Sequence, residues 1–297
     1  MRSDDDSWDI TESVGATAIG VAALRAVESR RPDALFHDPY AAGLVDAAGP
    51  GWSRLQRGGV EIDPELDRKY GPMAAFMTAR TVYFDEYFAA AMAAGVRQIV
   101  ILASGLDARA YRLEWPSGTV LFELDQPKVL RFKAEALAAD RPRADRREVA
   151  VDLRQDWPKA LRDKGFDPAA PTAWLAEGLL RYLPGDAQDR LLGDVAALSA
   201  PGSRIALNIG RGEMPVTTEG PAPTAAVDAV PRNVESLWYP WAGRTDPRDW
   251  FAARDWVVSD GDAVAVLAEH GRAVRDTALP ELNRHILMTA IRPTGER

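Results

Sequence analysis

Three acids and one glycine occupy positions from which they could hold a ligand. The stretch 96–125 reads VRQIVILASGLDARAYRLEWPSGTVLFELD. Its apolar run Ile99-Val100-Ile101-Leu102 is short and β-branched, which reads as a buried strand. The small residues Ala103-Ser104-Gly105 follow, where backbone can turn sharply and approach a ligand closely. A second strand is expected over 119–124, with Asp125 at its tip, 20 positions after Gly105. A strand, a glycine turn and an acid at the tip of the next strand form a nucleotide-binding pattern, in which the acid accepts hydrogen bonds from ribose hydroxyls. Asp152 falls in an expected strand at 148–153, and Glu177 follows another at 172–176.

The turn also says what the ligand is not. A pyrophosphate on a helix N-terminus calls for three spaced glycines. This turn has one, and Asp107 beside it would repel a pyrophosphate while tolerating a cation. That combination suggests an adenosine ligand without phosphates, of which S-adenosylmethionine is the common one. Arg80 interrupts an otherwise apolar helical pattern. It reads either as a salt bridge to Asp85 or another acid, or as a fork for a ligand carboxylate. His37 could serve as a general base, or sit in a surface turn packed on Tyr40.

The elements that must position these residues alternate. Helical spacing runs from Ser13 to about Arg30, before Pro32, and a short helix is expected through Val45. Residues 48–59 read as a Gly-rich loop, and 72–95 as a long buried helix opened by Pro72 and capped by Gly95. Further helices are expected at 127–139, 158–165 and 186–199, with a fifth strand at 203–209. Strands alternating with helices predict a mostly parallel sheet covered on both faces, with ligands at the strand carboxyl ends. Residues 210–248 break the alternation with six prolines and the group Trp238-Tyr239-Pro240-Trp241, which suggests a lid or an acceptor pocket. A helix at 261–269 and strands at 272–277 and 285–291 complete the reading, the last two as an antiparallel hairpin.

Composition removes several classes. The chain has 297 residues, 46% of them apolar, so a large core is expected and no domain boundary stands out. A net charge of −8 without a long basic run disfavours nucleic acid, and the arginines at 141–147 read as a solvated loop or helix end. There is no cysteine, and the three histidines show no ligand spacing, so no metal site is expected. The first residues, MRSDDDSWDI, lack the apolar segment of a secretory signal, and no run approaches a membrane span. The expectation is a soluble, cytoplasmic protein of unspecified oligomeric state.

Five segments carry a family resemblance: RTVYFDEYF (80–88), VILASGLDARAYRL (100–113), FELDQPKVLRFK (122–133), VDLRQDW (151–157) and TAWLAEGLLRYLP (172–184). In that order, over nearly the whole chain, they resemble the actinobacterial S-adenosylmethionine-dependent methyltransferases related to the leucine carboxyl methyltransferases. The resemblance implies a class I methyltransferase (Rossmann-like) fold, an α/β single domain with a seven-stranded sheet ending in a reversed hairpin. Its parts would be a helical N-terminal extension (1–95), a cofactor-binding core (96–209), a lid or acceptor insertion (210–250) and a C-terminal helix and hairpin (251–297). It implies that Arg80 grips the methionine carboxylate of S-adenosyl-L-methionine and that Ala103 and Gly105 form the turn. Asp125 would hold the ribose, Asp152 and Leu153 the adenine, and Glu177 would lie near the ammonium. The turn is poorer in glycine than the usual methyltransferase turn, a shape that fits the carboxyl methyltransferase branch. The family pattern fixes no acceptor-binding or catalytic residue. O-methylation of a carboxylate or hydroxyl on a small acceptor is the leading expectation. A nicotinamide-dependent oxidoreductase and a non-catalytic adenosyl-ligand-binding protein are the rivals.

Overall fold

A computed structural model describes residues 13–57, 64–210 and 237–295. The N-terminal helices are α1 (Ser13–Ser29), α2 (Ala41–Ala47), α3 (Pro50–Arg57) and α4 (Pro64–Ala93). The alternating region follows: β1 (Gln98–Leu102), α5 (Arg109–Arg112), β2 (Val120–Asp125), α6 (Pro127–Ala136), β3 (Asp145–Ala150), α7 (Trp157–Asp163), β4 (Thr172–Ala176), α8 (Gly185–Ala197) and β5 (Arg204–Gly210). The described chain closes with α9 (Pro247–Ala252), β6 (Val257–Gly261), α10 (Ala263–Glu269), α11 (Leu279–Leu282) and β7 (His285–Ile291).

The strands form one seven-stranded sheet in the order β3-β2-β1-β4-β5-β7-β6. The first five run parallel, and β7 lies antiparallel between β5 and β6. Period-two alternation divides the core. Ile99, Ile101, Leu121 and Leu175 face a layer that includes Ile19, Phe84 and Phe88 from α1 and α4. Val100, Leu102, Phe122 and Trp174 face the other, with Trp157, Leu191 and Phe251 from α7, α8 and α9. Each such side chain, fully buried, contributes about 1.5–3 kcal/mol. In α8 the buried residues are Gln188, Leu191, Leu192 and Val195, the spacing of a single helix face.

Four expectations are corrected. The segment 48–59 is not a loop throughout: Gly49 turns at φ 109° and α3 starts at Pro50, with Trp52 buried and Gln56 Nε2 donating to Asp46 at 2.8 Å. Pro72 lies inside α4 rather than opening it, so the helix forgoes one internal hydrogen bond there. The third strand starts at Asp145 and stops at Ala150, in register from Val120↔Asp145 to Asp125↔Ala150. It therefore absorbs Arg146 and Arg147 from the basic cluster, and Asp152 stands beyond its end. Finally, the partner of β7 is Val257–Gly261, not 272–277. Gly271 turns at φ 71°, and Arg272 then reaches back to Glu28 of α1 at 3.0 Å, while both edges of β7 are already taken. Most of the proline-rich insertion, 211–236, lies outside the described residues.

Candidate functional site

The carboxyl edges of β1, β2 and β4 meet the glycine turn. Ala103 and Gly105 both take left-handed backbone, at φ 50° and 48°. For alanine this conformation is strained, by about 1–3 kcal/mol. It is held because Ser104 N donates to the Leu124 carbonyl at 2.9 Å and Gly105 N donates to Asp125 Oδ2 at 2.7 Å. A Cβ at Gly105 would lie 3.4 Å from Ala18 Cβ, so α1 packs directly on the turn. Arg25 of the same helix pairs with Asp38 at 2.8 Å and donates through Nη2 to the Leu106 carbonyl at 2.7 Å.

Asp125 spends one lone pair of each oxygen on backbone, Oδ1 accepting from Gln126 N at 2.7 Å. Burial pushes its carboxyl above the usual range, against the pull of those two N–H groups. The remaining lone pairs can still accept from hydroxyls. Gln126 Nε2 donates to Asp152 Oδ2 at 3.0 Å, which links the second and third strand ends. Asp152 is also clasped by Arg154 at 2.7 Å. Despite its burial, the Arg154 contact leaves Asp152 below its ordinary value. Leu153 is half-buried against the α7–α8 face of the core.

Glu177, after β4, lies 2.8 Å from Arg80 Nε and 2.7 Å from Arg109 Nη1. Burial raises its carboxyl, but Arg109 and Arg80 outweigh that and hold it below the ordinary value. The Arg80 contact is an ion pair without hydrogen-bond alignment: Nε is buried with no hydrogen-bond partner among the described residues. Desolvation dominates at Arg80 and lowers its pKa despite Glu177. Asp85, the acid nearest Arg80 in sequence, pairs instead with Arg109 at 2.7 Å and Arg112 at 2.6 Å.

Gly105, Asp125, Asp152, Glu177 and Arg80 are thus joined in one contiguous set, through Gln126 on one side and Arg109 on the other. Sequence reading missed Arg109, which binds Asp85, Asp107 and Glu177 together. Its position two residues after Asp107 was the available signal. It also missed Lys133, whose fully buried ammonium meets Glu123 at 2.8 Å, Ser104 Oγ at 3.3 Å and the Asp107 carbonyl at 3.1 Å. Arg146 pairs with the same Glu123 at 2.6 Å, which explains one basic residue of the 141–147 cluster. Asp107 is no free acid: Arg109 neutralises it, so the repulsion expected from the sequence is largely cancelled. His37 is exposed and His270 faces Glu86 at 3.1 Å. Among the described residues no cluster could hold a metal ion, and no helix is long and apolar enough to cross a membrane.

A parallel sheet continued by an antiparallel seventh strand, with the acid-tipped glycine turn at its carboxyl edge, defines a class I methyltransferase fold. The described fold is similar to a solved structure of a duf574 family protein from Streptomyces avermitilis, with a TM-score of 0.53 and 16% identity over 92% of this chain and 97% of that one. Residues 18–196 match the family described as leucine carboxyl methyltransferase. A relative from Mycobacteroides abscessus is 53% identical over 93% of this chain and 94% of its own length, and one from Mycobacterium tuberculosis 46% identical over 99% of both. Both carry the description "Putative S-adenosyl-L-methionine-dependent methyltransferase". The chain belongs to the leucine carboxyl methyltransferase family.

Proposed function

We propose that this single-domain chain transfers the methyl group of S-adenosylmethionine to an oxygen, carboxylate or hydroxyl, of a small organic acceptor. Family membership supports the reaction class, and one observation carries the donor assignment. Arg80 is a buried cation set against Glu177, an acid it shares with Arg109. A guanidinium carries five N–H donors, so beside Glu177 it can take a second carboxylate brought from outside. The methionine carboxylate fits it.

The other residues fit the rest of the donor. Glu177 keeps acceptor positions for the ammonium, and the Ala103–Gly105 turn lets backbone approach the ligand. Asp125 offers its free lone pairs to the ribose, and Asp152 with Leu153 flanks the adenine, one polar and one apolar. When bound, the sulfonium supplies an activated methyl on a neutral leaving group. The residues' task is then to orient and to exclude water. Helix α1, seated on the turn through Ala18 and Arg25, contributes to that exclusion.

Titration calorimetry with S-adenosylmethionine, S-adenosylhomocysteine and NAD tests the reading. Binding of NAD alone would replace it with the oxidoreductase. Arg80→Met should weaken S-adenosylmethionine by roughly ten- to a hundredfold, the scale of a lost charged hydrogen bond, and leave adenosine nearly unchanged. Equal losses for both would make Arg80 structural.

A further inference from the structure

Because β7 runs backwards, its first residue, His285, pairs with Gly210, the last of β5, at the same edge of the sheet as the site. The imidazole side chain is 7% exposed and stacks on Phe76, with ring centroids 3.8 Å apart and planes at 16°. Phe76 also neighbours Arg80, one helical turn on, its guanidinium carbon 5.8 Å from the ring centre. His285 Nε2 lies 3.0 Å from Glu281 Oε1 on α11. The hydrogen bond from His285 keeps that carboxyl below its ordinary value despite burial, with Arg284 and Arg181 adding to the effect. An ionised carboxylate only accepts, so in the neutral ring the proton sits on Nε2 and the lone pair on Nδ1. Nδ1 is buried and has no partner among the described residues.

Two more groups are in the same condition. Arg181, on the turn after β4, makes no hydrogen bond or ion pair through its guanidinium among the described residues; it lies over the Trp238 ring, 4.1 Å from its centre. It packs so closely on Gly210 that a Cβ there would stand 2.1 Å from Nη2. Trp238 Nε1 is buried without a partner as well. Among the described residues, a lone pair and an N–H donor without hydrogen-bond partners, and a cation whose guanidinium makes no hydrogen bond, therefore lie at the β5–β7 edge.

We propose that His285 is the general base for a hydroxyl-bearing acceptor, with Glu281 orienting the ring and Arg181 holding the acceptor's oxyanion. This rests on the methyl-transfer reading above and narrows its acceptor. Nδ1 takes the hydroxyl proton, and the oxygen's electron pair forms the new C–O bond. The S–C bond breaks with its pair retained by sulfur, leaving a thioether. Glu281 stabilises the imidazolium, which later gives its proton to water. A carboxylate acceptor would be ionised already and need no base. Burial lowers the His285 pKa; Arg181 and Arg80 push the same way, and Glu281 opposes them. These influences favour the neutral ring, the form that can take a proton.

The test uses the full chain, donor labelled with tritium in its methyl group, and a small-molecule extract of mycobacterial cells. Methyl esters release the label as methanol in alkali, whereas methyl ethers keep it. The expected product is alkali-stable. His285→Gln should lower kcat by about 10²–10⁴ with little change in KM, the usual yield of a general base. The rate should climb with pH across the His285 midpoint measured by nitrogen NMR, which should also show the Nε2–H tautomer and a midpoint below about 6.5. Glu281→Gln covers the case in which His285→Gln fails to fold: it should slow turnover and move the midpoint lower still. An alkali-labile product, an Nδ1–H tautomer, or a folded His285→Gln with unchanged kcat would each overturn the base. No labelled product at all, with the donor bound, would remove the methyl-transfer reading itself and the base with it.

Discussion

Asp107 illustrates how residues in this site depend on their neighbours. Its burial alone would raise the carboxyl, yet Arg109, Lys133, the Arg109 N–H and Arg25 together bring it down to about 2. The unfolded value is about 3.9. The folded pKa is the lower one, so the stabilisation is complete above about pH 4 and disappears as pH falls towards 2, on the order of 2 kcal/mol in all. Asp107→Asn should therefore be less stable than the parent in urea at pH 7, by a margin that narrows at pH 3. An equal margin at both values would show that the charge contributes nothing. Of this environment, the sequence displays only the acid and an arginine two positions on. Lys133 comes from α6 and Arg25 from α1, and no spacing rule connects them to Asp107. The acids at Asp125 and Glu177 were readable because strand ends announce themselves, whereas the cations that tune them are reached only through tertiary packing.

Elements were legible in proportion to their burial. Strands β1 and β4 are buried at every position, and their apolar runs located them to within a residue. The edge strand β6 reads VVSDG, and its Val257 is 61% exposed, so it lacks both the apolar run and the alternation. What secures β6 is fit. Gly261 lies against Tyr83 of α4, where a Cβ would meet Cε2 at 2.3 Å. Gly261→Ala should destabilise the protein by about 1–3 kcal/mol through overpacking. Placed on a Tyr83→Ala background the same change should cost far less, and thermal unfolding of the four proteins of that cycle measures the difference. Additive losses would mean that the ring is not the obstacle. Pro72 within α4, and Gly49 and Gly51 at the start of α3, misled in the other direction, since a local breaker signal yields where tertiary contacts outweigh it.

At the scale of the molecule, helix α1 is tied to the rest of the fold by polar links from both of its charged residues, Arg25 and Glu28. Arg25 joins α1 to Asp38 and to the turn after β1, and Arg272 joins the chain after α10 to Glu28. Arg25→Met leaves Asp38 buried with Arg112, 4.0 Å away, as the one compensating charge among the described residues. The expected loss is about 3–5 kcal/mol, the scale of a broken buried pair. Hydrogen exchange should quicken in α1 and at residues 103–108 together; acceleration of α1 alone would show that the helix does not hold the turn. The position of β7 has a further consequence, for synthesis. It fills the gap between β5 and β6, yet it is translated last of the three, about 75 residues after Gly210. At roughly 5–20 residues per second, the nascent chain leaves the apolar rim of β5 unzipped for several seconds. An open rim of that kind invites pairing with a second chain. Ribosome-bound intermediates halted in that interval are where this protein should depend most on a holding chaperone.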